Sequence, residues 1–185
     1  MELRARLSRG LQRRLDPHVR PKMLEQQGRR RISTSVVFNG RRANVHIADH
    51  VFVGHFCILD GTDHLTIAEG VQIAGWVGLY THSSHISIRL MGDRYFGWDG
   101  ERPGWVQQPL SIGAYSFLGV KCTVLPGCDV GRSALVAAHS LVNRPVPDFA
   151  IVSGTPARVV GDVRELDADH VGPGDPWWDS YTARD

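Results

Sequence analysis

Residues 112–142 read IGAYSF LGVKCT VLPGCD VGRSAL VAAHSL V, and an aliphatic residue opens each block of six: Ile112, Leu118, Val124, Val130, Val136 and Val142. A helix places an apolar residue about every 3.6 positions, and a half-buried strand places one at every second. A period of six satisfies neither alone. It fits very short strands joined by sharp corners, with one inward anchor on each flat side. The same beat runs earlier through Ile47, Val53 and Leu59, then Ile67, Ile73 and Leu79. Repeats of this kind decide an architecture, here an all-β solenoid of stacked parallel coils, a parallel β-helix.

The other repeat positions agree. Directly after an anchor come Gly54, Gly113, Gly119 and Gly131, or Ala48, Ala68, Ala74 and Ala137. These small residues are expected to turn the corner and to let coils stack closely. Four places after the anchors stand Val51, Cys57, Val71, Val77, Ser116, Cys122, Cys128, Ala134, Ser140 and Val146. Small or β-branched, they are expected to point inward and stack coil upon coil.

At 185 residues the chain suits one domain with a real core. Its net charge of +2 conceals an asymmetry: residues 1–31 carry a net +7 and residues 32–185 a net −5. The basic character therefore belongs to an appendage. No apolar run approaches the roughly 20 residues of a membrane span, and the start lacks the apolar stretch of a signal peptide. All three cysteines fall at inward repeat positions. An odd count at core positions predicts reduced thiols and a cytoplasmic setting, with the inner face of a membrane left open.

Three regions follow: a basic extension over 1–31, a solenoid over 32–161 and an acidic tail or cap over 162–185. In the first, Leu3, Leu7, Leu11 and Leu15 alternate with arginines. That spacing predicts a short helix with one apolar stripe, ended by Asp16-Pro17 and Pro21. The stripe packs on the solenoid or a neighbouring subunit, or residues 1–15 rest on anionic lipid. No reading module with interleaved aromatics follows it, which argues against a nucleic-acid partner. Residues 32–46 show no clear repeat register, and two extra residues between Leu59 and Ile67 predict a bulged corner at Gly61-Thr62-Asp63. A longer excursion, 83–111, interrupts the beat between Leu79 and Ile112; it carries Arg89, Arg94, Tyr95, Phe96, Trp98 and Trp105. Long loops leaving a rigid scaffold are disproportionately functional.

Gly78-Leu79-Tyr80-Thr81-His82-Ser83-Ser84-His85 lies where the coils give way to this excursion, and the repeat closes on Ser153-Gly154-Thr155-Pro156-Ala157-Arg158-Val159-Val160. With the repeat, these motifs make residues 45–162 resemble the hexapeptide-repeat acyltransferases, in particular saccharide O-acetyltransferases of the galactoside and maltose type and modifiers of capsule or lipopolysaccharide. The resemblance implies a left-handed β-helix, a homotrimer with each active site in a groove between two chains, acetyl-coenzyme A as donor, a saccharide acceptor and no metal. It places the general base at His82, with His85 as the fallback.

The chemistry suits that residue type. A neutral imidazole accepts the proton of an attacking hydroxyl and returns it to the departing thiolate. Asp60 and Asp63, one coil below, are candidates to hold its tautomer, and either also serves as a turn hydrogen-bond acceptor. By resemblance, the oxyanion donor comes from the Gly119-Val120 corner beside Phe117, where relatives carry Trp. Ala137, Ala138 and Ser140 contact the pantetheine arm, although His139 replaces a usual glycine. Asn143-Arg144 stands where relatives have Thr-Lys, and Arg144 and Arg158 meet the phosphates. Arg89, Tyr95, Trp98 and Trp105 would contact the acceptor, or the aromatic rings would pack the loop onto a neighbouring subunit.

Three rivals follow from the same residues. His50-x4-His55 resembles part of the zinc set of a γ-class carbonic anhydrase. An N-acyltransferase of an amino sugar nucleotide would use the same base and donor. A solenoid scaffold would leave the groove unused.

Overall fold

The structure, a computed structural model, describes residues 24–183. The helix predicted over residues 1–15 lies outside them.

The described chain opens with strands β1 (Leu24–Gln27), β2 (Arg30–Ser33), β3 (Val37–Gly40), β4 (Val45–Ile47) and β5 (Phe52–Val53). Next come β6 (Ile58–Gly61), β7 (Leu65–Ile67), β8 (Gln72–Ile73), β9 (Gly78–Leu79) and β10 (His82–Ser83). The excursion holds helix α1 (His85–Met91) and β11 (Val106–Gln107), and the beat resumes with β12 (Leu110–Ile112), β13 (Phe117–Leu118), β14 (Thr123–Val124), β15 (Leu135–Val136) and β16 (Leu141–Val142). Strands β17 (Ala150–Gly154) and β18 (Ala157–Asp162) and helices α2 (Val163–Asp167) and α3 (Trp178–Thr182) complete it.

Successive repeat strands visit three sheets in constant rotation. The first sheet holds β2, β5, β8, β13, β15 and β17, the second β3, β6, β9, β14 and β16, and the third β4, β7 and β12. Bridges from Ile112 to Val130 and from Val130 to Val146 extend the third. Every pairing between coils is parallel, which is consistent with a parallel β-helix.

The anchors form three ladders. Ile32, Val53, Ile73, Leu118, Val136 and Val152 stack in the first sheet. Phe38, Leu59, Leu79, Val124 and Val142 stack in the second, and Ile47, Ile67, Ile112, Val130 and Val146 in the third. Ile32 and Phe38 therefore begin the register that the sequence left unclear before residue 47. Extra residues around a 3-10 turn at Arg42–Asn44 lengthen that coil's third side and hide its period. The ten small or β-branched residues expected to point inward, from Val51 to Val146, are all buried. Each fully buried aliphatic side chain contributes roughly 1.5–3 kcal/mol.

The corners correct one expectation. The left-handed residue comes three places after the anchor, at His50, Phe56, Gly70, Trp76, Tyr115, Lys121, Gly127, Ser133, His139 and Phe149. The glycines directly after anchors serve close approach instead. A Cβ on Gly119 would lie 2.5 Å from the backbone nitrogen of Ala138 in the next coil. Elsewhere, β18 turns back antiparallel on β17. The tail forms α2 and α3, which enclose a cavity of about 160 Å³ with Tyr115, Phe117, Ser133 and Phe149.

Candidate active site

Strand β9 ends at Leu79, and the corner that follows holds Thr81 and His82. One coil below, β6 carries Asp60 as its penultimate residue, with its side chain fully buried. His82 Nδ1 lies 2.5 Å from Asp60 Oδ2. The same oxygen accepts the backbone N–H groups of Thr81 at 3.0 Å and His82 at 3.2 Å, and the Thr81 hydroxyl at 3.1 Å. Oδ1 accepts the Thr62 hydroxyl at 2.7 Å, the Thr62 N–H at 3.1 Å and the Asn39 amide at 3.1 Å. Burial pushes the Asp60 carboxyl up, but hydrogen bonds from His82, Thr62 and Thr81 outweigh it and hold it down to about 2. An ionised Asp60 accepts a hydrogen bond from Nδ1–H, which leaves the Nε2 lone pair of neutral His82 free to accept a proton. The His82 side chain is 23% exposed, open enough for a reactant to reach it.

Asp63 does not share in this contact: its Oδ1 accepts the His64 N–H at 2.7 Å. Its own N–H donates to the Thr81 hydroxyl. His85 opens α1, exposed, with Nδ1 2.7 Å from the Ser83 hydroxyl.

The excursion closes over the base from one side. Strand β11 pairs with β10, setting His82 opposite Gln107. Two residues earlier, the Trp105 ring stacks on His82, with centroids 5.2 Å apart and planes 23° apart. That face of the indole is thereby taken. Arg102 lies over both Trp105 and Tyr95, at 5.4 and 5.0 Å, and donates from Nη2 to the Trp98 carbonyl. Its buried Nε has no partner among the described residues. Arg102 escaped sequence reasoning because a loop arginine reads as solvated charge, and nothing in its spacing marks it. Trp98 is exposed and donates to Glu101. Arg89 turns back on its own helix, donating to the His85 carbonyl.

The expected coenzyme residues lie on two edges. Gly119, Val120, Ala137 and Ala138 share the corner between the first and second sheets. Gly119 N–H is already engaged with the Val136 carbonyl at 2.8 Å, and Ala137 N–H with that of Val152. Val120 is 39% exposed and accepts from His139 through its carbonyl. Its N–H has no acceptor among the described residues, so the oxyanion donor expected of this corner narrows to Val120. Phe117 is exposed on the adjoining face. Ser140 is a correction: its side chain is buried, and its hydroxyl accepts the Gly154 N–H, so it points away from that edge.

His82, Asn143 and Arg144 instead follow second-sheet anchors, on the next edge. Arg144 and Arg158, both exposed, line a cavity of about 140 Å³ with Asn143 and Pro145 at the last coil. Arg158 Nη1 donates to the Ala157 carbonyl. One chain thus gathers the two arginines but holds His82 and Val120 on different edges.

The paired histidines are not brought together either. His50, on the corner after the third sheet, meets Glu69 at 2.8 Å. His55, on the corner after the first, meets the Ser33 hydroxyl at 2.6 Å. Among the described residues no group of three His, Cys, Asp or Glu side chains is placed to hold a metal, and no helix is long and apolar enough to cross a membrane.

No family model matches the chain. Over 129 residues, 68% of its length, it is 30% identical to a Saccharomyces cerevisiae protein provisionally named an acetyltransferase, covering 60% of that protein. The galactoside O-acetyltransferase of Escherichia coli matches at 24% identity over 127 residues, 68% of this chain and 57% of that enzyme. The chain therefore spans less than two thirds of these relatives. A solved hexapeptide-repeat acetyltransferase from Vibrio cholerae superposes with a TM-score of 0.61 at 27% identity, covering 71% of this chain and 69% of that one. Its complex with acetyl-coenzyme A gives 0.58 at 28% identity, covering 69% and 64%.

Proposed function

We propose that this chain, which is similar to hexapeptide-repeat acetyltransferases, is one of that family and moves an acetyl group from acetyl-coenzyme A to a hydroxyl of a saccharide. The observation that carries the reading is the buried Asp60 carboxylate against Nδ1 of the half-open His82.

In this reading Nε2 of His82 takes the proton as the sugar oxygen attacks the thioester carbon. The carbon–oxygen bond forms, the tetrahedral oxyanion meets the Val120 N–H, and the carbon–sulfur bond then breaks. His82 returns the proton to the thiolate. Asp60 keeps the imidazole in one tautomer and stabilises its charged form; it never needs to take the proton itself.

Because His82 and Val120 occupy different edges of one chain, a second copy supplies the missing half. Together with the resemblance to hexapeptide-repeat acyltransferases, that fits a left-handed β-helix assembled as a homotrimer, with residues 32–161 as the catalytic unit. Arg144 and Arg158 meet the coenzyme phosphates, and the excursion 83–111 shapes the acceptor side. A cytoplasmic enzyme with residues 1–15 against anionic membrane fits this reading.

The test is thiol release from acetyl-coenzyme A by the full chain with saccharide acceptors. His82→Ala should lose turnover by at least about 100-fold while still binding coenzyme A. Near-normal turnover would move the base to His85 or overturn the mechanism. Alkali-labile product marks an ester, whereas alkali-stable product marks N-acylation of an amino sugar.

A further inference from the structure

Of the four Phe, Tyr and Trp side chains in left-handed corner positions among the described residues, two are covered or walled by other parts of the chain. Phe149 is 9% exposed, beneath the guanidinium groups of Arg132 and Arg164. Tyr115 lines the cavity under the C-terminal helices. Phe56 and Trp76 are different. They lie against each other, with centroids 4.5 Å apart and planes tilted by 32°, yet remain 47% and 56% exposed.

Their support is built from the inside. The Phe56 N–H donates to the Ser35 hydroxyl at 3.0 Å, and Ser35 meets the buried Ser33 hydroxyl at 2.8 Å. Ser33 in turn meets His55 Nδ1 at 2.6 Å, and the Trp76 N–H donates to the His55 carbonyl at 2.8 Å. Both aromatics also sit at positive φ, 59° and 65°, where a bulky side chain is uncommon. An uncovered pair held by a hydrogen-bonded base is a preorganised surface.

Its place narrows the occupant. The two rings lie on the same edge as Val120 and Ala138, because Lys121 N–H donates to the Gly75 carbonyl directly beside Trp76. Coils are spaced by roughly 4.8 Å, so Trp76 stands about one coil from the Val120 N–H. In the proposed reaction the pantetheine arm occupies the coils on the Ala137–Ala138 side of that donor. An acceptor reaching the acyl carbon must then approach from the opposite direction, over Trp76 and Phe56.

We propose that Phe56 and Trp76 form the acceptor subsite and stack against the apolar face of a pyranose ring. This rests on the acetyl-transfer reading, and it adds where on the chain the saccharide of that reading is held. The excursion aromatics then act chiefly around His82, where Trp105 is already stacked.

The test compares the native chain with Trp76→Asn, since asparagine tolerates left-handed backbone and preserves the corner. Methyl β-D-galactopyranoside and maltose are the probes. The variant should raise the sugar KM about tenfold, in the range a lost aromatic contact produces. Its KM for acetyl-coenzyme A and its oligomeric state should stay unchanged. An unaltered sugar KM, or a broken oligomer in place of a sugar defect, overturns the proposal. Direct binding decides it independently of catalysis: either sugar should quench tryptophan fluorescence in the native chain and not in Trp76→Asn. If the native chain shows no such quench with either sugar, the subsite is wrong even where acetyl transfer is real. Failure to bind acetyl-coenzyme A would instead sink the enzyme reading and leave the sugar-binding result standing.

Discussion

Asp60 Oδ2 receives His82 Nδ1 at 2.5 Å while also accepting the backbone N–H of both Thr81 and His82. One buried oxygen therefore fixes the backbone of the corner and the ring that it carries.

Replacing that oxygen with an amide tests the arrangement. In Asp60→Asn an N–H can face the imidazole, favouring the tautomer whose proton sits on Nε2 and removing the acceptor that the proposed reaction needs. Turnover should fall by about 100-fold or more, with the KM for acetyl-coenzyme A little changed. Steady-state kinetics at saturating donor would show it; a twofold loss would mean that Asp60 serves only the turn.

The same carboxyl makes stability depend on pH. In the fold it is held down to about 2 from 3.8, so between these values the folded chain binds fewer protons than the unfolded one. Its ionisation stabilises the fold fully above pH 3.8, and that contribution is lost as pH falls through about 2. Urea unfolding across this window should show the advantage of the native chain over Asp60→Asn shrinking toward the acid end.

Gly119 is fixed by space rather than by backbone angle. A Cβ there would lie 2.5 Å from Ala138 N and 2.8 Å from Val136 O, both backbone atoms of the next coil. Gly119→Ala should destabilise by about 1–3 kcal/mol through overpacking, measured by chemical unfolding. It should also weaken acetyl-coenzyme A binding if the arm runs along this edge.

Burial pushes the thiols of Cys57, Cys122 and Cys128 up; for Cys122, with Cys57 adding to the effect, to about 12. A thiol reagent at mildly alkaline pH should therefore modify none of them in the native chain and all three after unfolding. Rapid labelling of any one would show that the core opens on the assay timescale.

The anchors from Ile112 to Val142 were legible because each repeat imposes the same inward turn on the chain, and three ladders must form once coils stack. The first coil was not, since the longer third side between Phe38 and Ile47 breaks the spacing although Ile32 and Phe38 occupy proper ladder positions. Of the two roles expected of the corner glycines, close stacking is what the fold uses and turning the corner is not. Their smallness answers to the neighbouring coil, while the left-handed turn falls three positions after the anchor on residues as large as Trp76.

The linear order of residues determined the period, the inward cysteines and the excursion that follows His82. Which carboxylate meets that histidine, and that Trp105 and Arg102 gather around it, were decided only when the chain was wound. Those relations join residues separated by a coil or by a loop, and short-range periodicity carries no information about contacts made across coils. The separation of His82 from Val120 has the same origin: the side of the prism to which a residue belongs depends on every insertion before it.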